Sequence, residues 1–259
     1  MTDISIVTVT YNSIKTIKDT IASINSQTYS NIKKIWIDGM STDGTYEFLK
    51  QSKDDNTFLI SEKDEGLYDA LNKGIEKSST DLIFFLHSDD FFSDDNIISN
   101  VIDIFNIQKP NLVYGNIVMV DENLTEKIIR YWKSDEEKNY IRNNFYYKKK
   151  ILNGWMPAHT SCFYRTDFLK KIGYFNLNYK ISADYDHLLR LFMSDDLRAF
   201  YINKTIVTMR MGGNSNKSII QILKKMKEDY EIINKNNLLN LYTLLMKSFS
   251  KLIQFFIKK

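Results

Sequence analysis

Residues 82–86 read Leu-Ile-Phe-Phe-Leu, apolar at every position. A strand with one wet face alternates apolar and polar residues. A run without alternation belongs to a strand covered on both sides, as in a parallel sheet flanked by helices. The preceding residues fit that requirement. Ile4–Val9, Lys34–Ile37 and Phe58–Ile60 are short strand-like runs. Helical patterns separate them: Asn12 as a cap with Ile14, Ile17, Ile21 and Ile24 at helical spacing, a helix opening at Asp43, and Leu67–Ile75 with Leu67, Ala70, Leu71 and Ile75 on one face. Strands alternating with helices predict right-handed βαβ units and a doubly wound α/β sheet.

The pattern changes after residue 110. Leu112–Val120 and Lys127–Tyr131 read as a hairpin around Asp121-Glu122-Asn123. Glu136–Lys150 has no clean period and reads as loop and short helix. Ser161–Tyr164 and Ile206–Met209 read as strands around a helix at Ala183–Met193, and helices follow at Ser218–Asn234 and Leu238–Ile257. The expected organisation is a first half at 1–110, a second half of the same domain at 111–216, and C-terminal helices at 217–259.

Composition narrows the function classes. With 259 residues, 43% hydrophobic and 26% charged, the chain is long enough for a substantial core. One cysteine, Cys162, excludes an internal disulfide framework and a multi-cysteine zinc site. No run of about 18 apolar residues is present, so no ordinary membrane-spanning helix is expected. The start, with Asp3 and no basic stretch, does not read as a signal peptide, and a cytoplasmic location is the expectation. Residues 217–259 hold nine lysines against three acids, which leaves the rest of the chain mildly acidic. An acidic body argues against nucleic-acid binding; the basic tail is the part expected to meet an anionic surface.

In open parallel sheets, ligands bind beyond the carboxyl ends of the strands. The predicted strands end in Thr10-Tyr11-Asn12, Asp38-Gly39, Ser61-Glu62 and His87-Ser88-Asp89-Asp90. Acids gathered at one edge are costly without a positive partner, and a divalent cation with a phosphate ligand would supply one. The alternative is a solvated turn or a helix cap ahead of Ile97. Neither G-x-x-x-x-G-K-[ST] nor G-x-G-x-x-G occurs, which disfavours a P-loop NTPase and a dinucleotide dehydrogenase.

SIVTVTYN (5–12), IDGMSTDGT (37–45), SEKDEGLYDALNKGI (61–75) and FLHSDD (85–90), followed by VYGNI, GWMPAHTSCFYR, KIGYFN, ISADYDHLLRL and GGNS up to residue 215, resemble the inverting glycosyltransferases of family 2. The resemblance is to the bacterial subgroup that builds O-antigen, capsule and colanic-acid-type polysaccharides. It implies a GT-A fold: a Rossmann-like nucleotide-binding sheet joined to a mixed acceptor-side sheet. It also implies Mn²⁺ or Mg²⁺, a nucleotide-sugar donor, usually UDP-linked, and a glycan or lipid-linked glycan acceptor. On the same resemblance Thr8, Thr10 and Tyr11 line the nucleoside pocket and Asp38 contacts the base. Asp90 ligates the metal, and Asp89 contacts ribose or sugar or assists the metal. Asp184 matches the general base. The sequence departs from the pattern at Ser88, Ala183, Met40 and His87; the last two bear on the donor sugar rather than on the reaction.

The chemistry needs these residue types. An inverting transfer is one displacement at the anomeric carbon, with a base for the acceptor hydroxyl and a stabiliser for the departing diphosphate. Burial beside Tyr185 and Leu188 is expected to raise the pKa of Asp184; the competing reading is a helix N-terminal acid. His159 is placed near acceptor or diphosphate, against a structural histidine. Asp186 is either an acceptor contact or a structural acid. Glu62 and Asp64 are candidates for sugar hydroxyls, and Asp69 and Asn72, three apart on one helix face, for the diphosphate or for solvent. Trp132, Trp155 and Tyr140–Tyr147 either stack on sugars or fill core.

In the tail, Leu238, Leu241, Tyr242, Leu245, Phe249, Leu252, Ile253 and Phe256 form one stripe, with Lys247, Lys251 and Lys258 outside it. Such a helix lies on an anionic membrane through 238–257, packs on its own domain, or pairs with a second copy. Two functions compete: a metal-dependent glycosyltransferase at the inner face of the cell membrane, and a non-catalytic nucleotide-sugar-binding subunit of a polysaccharide assembly complex.

Overall fold

The computed structural model describes residues 1–135, 139–211, 219–236, 238 and 240–253. In chain order the first half holds β1 (Ile4–Thr10), α1 (Ile17–Asn25), β2 (Ile32–Asp38), α2 (Thr45–Ser52), β3 (Thr57–Ser61), α3 (Leu67–Lys77), β4 (Leu82–Phe85), β5 (Asp90–Phe92) and α4 (Ile97–Gln108). The second half holds β6 (Leu112–Asp121), β7 (Ile128–Trp132), β8 (Tyr140–Asn143), α5 (Asn144–Leu152), β9 (Cys162–Arg165), α6 (Thr166–Ile172), α7 (Ala183–Met193) and β10 (Arg198–Met211). Helices α8 (Ile219–Lys235) and α9 (Asn240–Ile253) follow.

The ten strands among the described residues join one sheet, with the main path β3-β2-β1-β4-β9-β6-β10-β5. Strands β3, β2, β1 and β4 are parallel, as the apolar run at 82–86 requires. Strand β9 pairs antiparallel with both β4 and β6, so the sheet crosses the boundary near residue 110 without a break. Strand β10 runs parallel to β6 and carries β5 and β8 antiparallel; β7 closes the expected hairpin onto β6.

The alternation of side chains explains the two covered faces. Val7, Val9, Ile83 and Phe85 face one core with Ala70, Leu71 and Ile75 of α3. Ile4, Ile6, Leu82 and Phe84 face the other, with Ile97, Ile98, Val101 and Phe105 of α4. Each large apolar side chain so enclosed contributes about 1.5–3 kcal/mol. A parallel half is thus fused to a mixed half, as a GT-A fold is expected to have.

Local differences have local causes. Asn12 does not cap α1, whose N-cap is Thr16. It takes a positive φ of 50° and its side-chain carbonyl accepts the Thr42 N–H at 2.9 Å, tying the β1 end to the β2 end. Strands β5 and β8 and helix α6 carry too few residues for a readable period. Strand β10 extends far beyond Ile206–Met209 because its register shifts between Tyr201 and Val207, which interrupts the alternation.

The C-terminal helices pack on the rest of the fold. Ile232, Ile233, Leu238 and Leu244 join the larger core. A Cβ on Gly154, whose φ is +78°, would lie 2.2 Å from the Lys247 backbone nitrogen, so α9 sits directly on that glycine. Lys247, outside the apolar stripe, is buried and ion-paired with Asp229 of α8 at 2.7 Å. Leu241, Tyr242 and Leu245 of the stripe stay exposed. Phe249, Leu252, Ile253 and Phe256, with Lys251, Lys258 and the GGNS motif, have side chains outside the described residues.

Candidate functional site

The ends of β1, β2 and β3 are tied through one carboxylate. Asp38 accepts hydrogen bonds from the hydroxyls of Thr10 (3.0 Å), Ser41 (2.6 Å) and Ser61 (2.6 Å) and from the Ser41 N–H (3.1 Å). It has no exposed surface. Asp38, expected to contact a base, here carries four donors and acts as a strut between the strand ends. Thr8 and Thr10 are buried as well, so of the three residues expected at a nucleoside pocket Tyr11 is the open one, at 67% exposure. Gly39 follows because a Cβ there would come within 2.6 Å of the Asp64 carboxylate and 3.4 Å of the Tyr11 ring.

Asp89 and Asp90 end this edge. Asp89 is partly exposed, whereas Asp90 is 1% exposed and both its carboxylate oxygens are buried without a hydrogen-bond partner. Burial pushes the Asp89 carboxyl up, with Arg210 opposing. Burial, and then the neighbouring Asp89, push Asp90 well above the usual carboxylate range. Arg210 of β10 donates to the Asp89 carbonyl at 2.9 Å and pairs with Asp19. Two adjacent carboxylates, one orphaned, fit a hard divalent cation, which would supply the missing positive charge. Among the described residues no cluster of three or more histidine, cysteine or acidic side chains forms a metal cage. Oxygen ligands from a bound diphosphate would have to complete the set. Asp89 is the more open of the two.

Asp184 stands in the first turn of α7, across from these strand ends. Its Oδ1 accepts from the Tyr185 N–H at 2.8 Å and from the Tyr68 hydroxyl at 3.2 Å. Tyr68 also reaches the Ile181 carbonyl at 2.8 Å. Burial and the Asp184 charge push the Tyr68 phenol up, so it remains a donor. The expected rise in the Asp184 pKa is corrected. Burial does push it up, but the charges of His159, Lys225 and Lys247 and the Tyr185 N–H outweigh burial, and the net direction is down.

Two imidazoles complete the cluster. The Nε2 atoms of His87 and His159 lie 3.5 Å apart, with the rings edge to face. Burial, then His159, pushes His87 down to about 3; burial also lowers His159, with Asp184 opposing. Burial thus disfavours the charged form of both rings, and their Nε2 atoms are placed for one to donate to the other. The Nδ1 of His159 is buried without a partner.

Other expected residues are engaged elsewhere. Asp186 is buried and paired with Arg190 at 2.9 Å, and Arg190 donates to the carbonyls of Ile172 and Tyr174. Asp186 is thus the structural acid of the two readings. Asn72 binds the Phe175 backbone at both ends of its amide, each at 2.9 Å, so it joins α3 to the segment before α7 instead of facing a diphosphate. Lys73 collects Glu62 (2.9 Å) and Asp69 (3.4 Å), and Asp69 also accepts the Glu65 N–H. Tyr140 and Tyr147 are core, joined to buried Tyr114 by their hydroxyls. Trp155 stacks on Tyr147 at 5.2 Å. Tyr68, Arg210 and Lys225 were missed: Tyr68 lies inside a quoted motif, but only the fold brings it to Asp184.

The profile of the family described as "Glycosyl transferase family 2" matches residues 5–173. A PGL/p-HBAD biosynthesis glycosyltransferase of Mycobacterium bovis (strain BCG / Pasteur 1173P2) is 25% identical over 228 residues, covering 86% of this chain and 83% of its own. An uncharacterized glycosyltransferase of Mycobacterium tuberculosis (strain CDC 1551 / Oshkosh) is 29% identical over 188 residues, covering 72% and 68%. In fold, the chain is similar to TarS 1–349 of S. aureus in complex with UDP-GlcNAc (TM-score 0.70, 17% identity, 96% of this chain and 73% of that one). It is also similar to the mannosyltransferase PcManGT of Pyrobaculum calidifontis in complex with GDP-Man and Mn²⁺ (TM-score 0.61, 13% identity, 99% and 76%).

Proposed function

Because the chain belongs to glycosyltransferase family 2, we propose that it is an inverting enzyme of surface polysaccharide biosynthesis. It moves a sugar from a nucleotide diphosphate, with UDP as the first candidate, to a glycan or lipid-linked glycan. The observation that carries this reading is Asp184. It is a carboxylate at a helix start, held by Tyr68 and kept ionised, across from strand ends that present Tyr11, His87, Ser88 and Asp89.

In this reading Asp184 takes the proton of the acceptor hydroxyl as that oxygen attacks the anomeric carbon from the face opposite the leaving diphosphate. Its low pKa keeps it ready to accept a proton over a wide pH range. Tyr11 lines the nucleoside pocket that Asp38 braces. His159 and His87 present their ring nitrogens beside Asp184. Asp89 and Asp90 would hold Mn²⁺ or Mg²⁺, which when bound offsets the charge developing on the diphosphate. No covalent sugar–enzyme intermediate is required.

The exposed side chains Leu241, Tyr242 and Leu245 of α9, with Ile220, Leu223 and Met226 of α8, support docking of this end on an anionic membrane carrying a lipid-linked acceptor. No helix among the described residues is long and apolar enough to cross a membrane. The deciding experiment is thermal shift against UDP- and GDP-sugars with and without Mn²⁺, since a bound ligand raises apparent stability by mass action. A shift confined to one donor with metal supports the reading. If no nucleotide sugar in the panel shifts the protein, the donor assignment is wrong.

A further inference from the structure

The start of α7 has no side-chain cap of its own: Ser182, its N-cap residue, makes no capping bond. The donors there are nevertheless satisfied. Glu228 of α8 accepts the backbone N–H of Lys180 on one oxygen (3.0 Å), and of Ile181 (3.0 Å) and Ser182 (2.8 Å) on the other. Three successive N–H groups around one carboxylate form an anion nest, and hydrogen bonds to a charged acceptor are about twice as strong as neutral ones. One turn earlier on α8, the Lys225 ammonium lies 3.4 Å from the Ser182 hydroxyl. On the other side, the Tyr68 hydroxyl holds the Ile181 carbonyl. The turn 180–182 is thus gripped from α3 and from α8, and Asp184 is two residues beyond it.

Helix α8 is itself fixed. Ile232 and Ile233 are fully buried, and Asp229, beside Glu228, is paired with Lys247, whose ammonium also lies 3.1 Å from the centre of the Tyr185 ring. A continuous set of contacts therefore runs from α9 through α8 to the residue following Asp184.

We propose that Glu228 is a positioning residue for Asp184, and that the C-terminal helices belong to the catalytic apparatus through this contact. The inference rests on reading Asp184 as the base. Glu228 touches no reacting atom. It sets where the first turn of α7 begins, and hence where the Asp184 carboxylate stands; a misplacement of about 1 Å can cost on the order of a hundredfold in rate.

The test uses the full chain and UDP release from the nucleotide sugar that shifts its melting temperature, with water or acceptor as nucleophile. Glu228→Ala should lower kcat by about tenfold or more, with the donor Kd changed by less than about twofold, and Glu228→Asp should restore part of the rate. Hydrogen exchange should quicken in 180–184 and stay unchanged at the Asp38 strut. The double variant Asp184→Asn/Glu228→Ala should be no slower than Asp184→Asn alone, because a residue acting only through another shows no separate loss. Multiplying losses would mean that Glu228 acts on general stability. Unchanged exchange and unchanged kcat in Glu228→Ala would overturn the proposal. If that variant does not fold, Glu228→Gln, which keeps an acceptor oxygen but loses the charge, decides by the same measurements. If Asp184→Asn itself turns over at the wild-type rate, it is the base assignment that fails.

Discussion

The Tyr68 hydroxyl stands 3.2 Å from Oδ1 of Asp184, joining residues 116 positions apart in the chain. The phenol has one proton and two acceptors within reach, Asp184 and the Ile181 carbonyl at 2.8 Å. It bonds one fully or shares itself between both. The contact ties α3 of the first half to the start of α7 in the second.

Asp184→Asn should retain donor binding and lower turnover by roughly a hundredfold or more, the usual size of a general-base loss. Asp186→Asn should act on stability, because Asp186 pairs with Arg190. Steady-state kinetics beside a melting curve separates the two. An inactive but stable Asp186→Asn beside an active Asp184→Asn would move the assignment by two residues.

Metal should strengthen donor binding, and calorimetry with Mn²⁺ against EDTA measures the gain. Asp89→Asn and Asp90→Asn should each abolish it. They should differ without metal: Asp90→Asn removes a buried carboxyl whose ionisation is costly and should melt at or above the wild-type temperature, whereas Asp89→Asn should change little. Equal donor affinity in EDTA and Mn²⁺ would sink the metal role.

The acidic limb of kcat should lie below the ordinary carboxylate range, since the Asp184 pKa is lowered. His159, Lys225, Lys247, Tyr68 and His87 all face it. Lys225→Met removes a positive charge that favours the ionised form, so the pKa rises and the limb moves to higher pH. The same sign applies to stability: a depressed folded pKa stabilises above the unfolded value, and that part is lost as pH falls through the folded one. A pH–rate profile of the two proteins checks the direction.

Lys247→Ala should destabilise by about 3–5 kcal/mol, because it strands Asp229 as a buried charge. Replacing both partners with apolar residues, Lys247→Met/Asp229→Leu, should recover most of that loss. Urea unfolding of the single and double variants gives both numbers.

Liposome flotation tests the outer face of the same helices. Leu241→Glu/Leu245→Glu should abolish binding to anionic vesicles and leave the melting temperature within a few degrees. Ending the chain at Asn236 is the less clean experiment, since it also removes the buried Leu244 and Lys247. Flotation unaffected by the glutamates would leave the membrane reading without support.

Much of the fold was legible because the parallel half is locally consistent. The LIFFL run, the α3 face and helix Ala183–Met193 each follow from spacing alone. The candidate site was legible as a set of motifs but not as a set of contacts. Nothing local distinguishes Asp38, saturated by four donors, from Asp90, which has none; both are acids after apolar strands. Asp184 and Asp186 differ by two positions on one helix, and that rotation alone sends one to Tyr68 and the other to Arg190. Glu228 lies on a polar helix face and reads as solvated until the fold brings residues 180–182 beneath it.

Strand β9 sits between β4 and β6 and is antiparallel to both. During synthesis, β4 emerges with one edge paired to β1 and the other waiting for residues 162–165, which leave the ribosome much later. Until then the apolar edge Leu82–Phe85 is an open template for another chain. A fragment ending near residue 110 should therefore aggregate, however complete its nucleotide-binding motifs are. The two halves are separable in sequence, yet neither can close its sheet without the other.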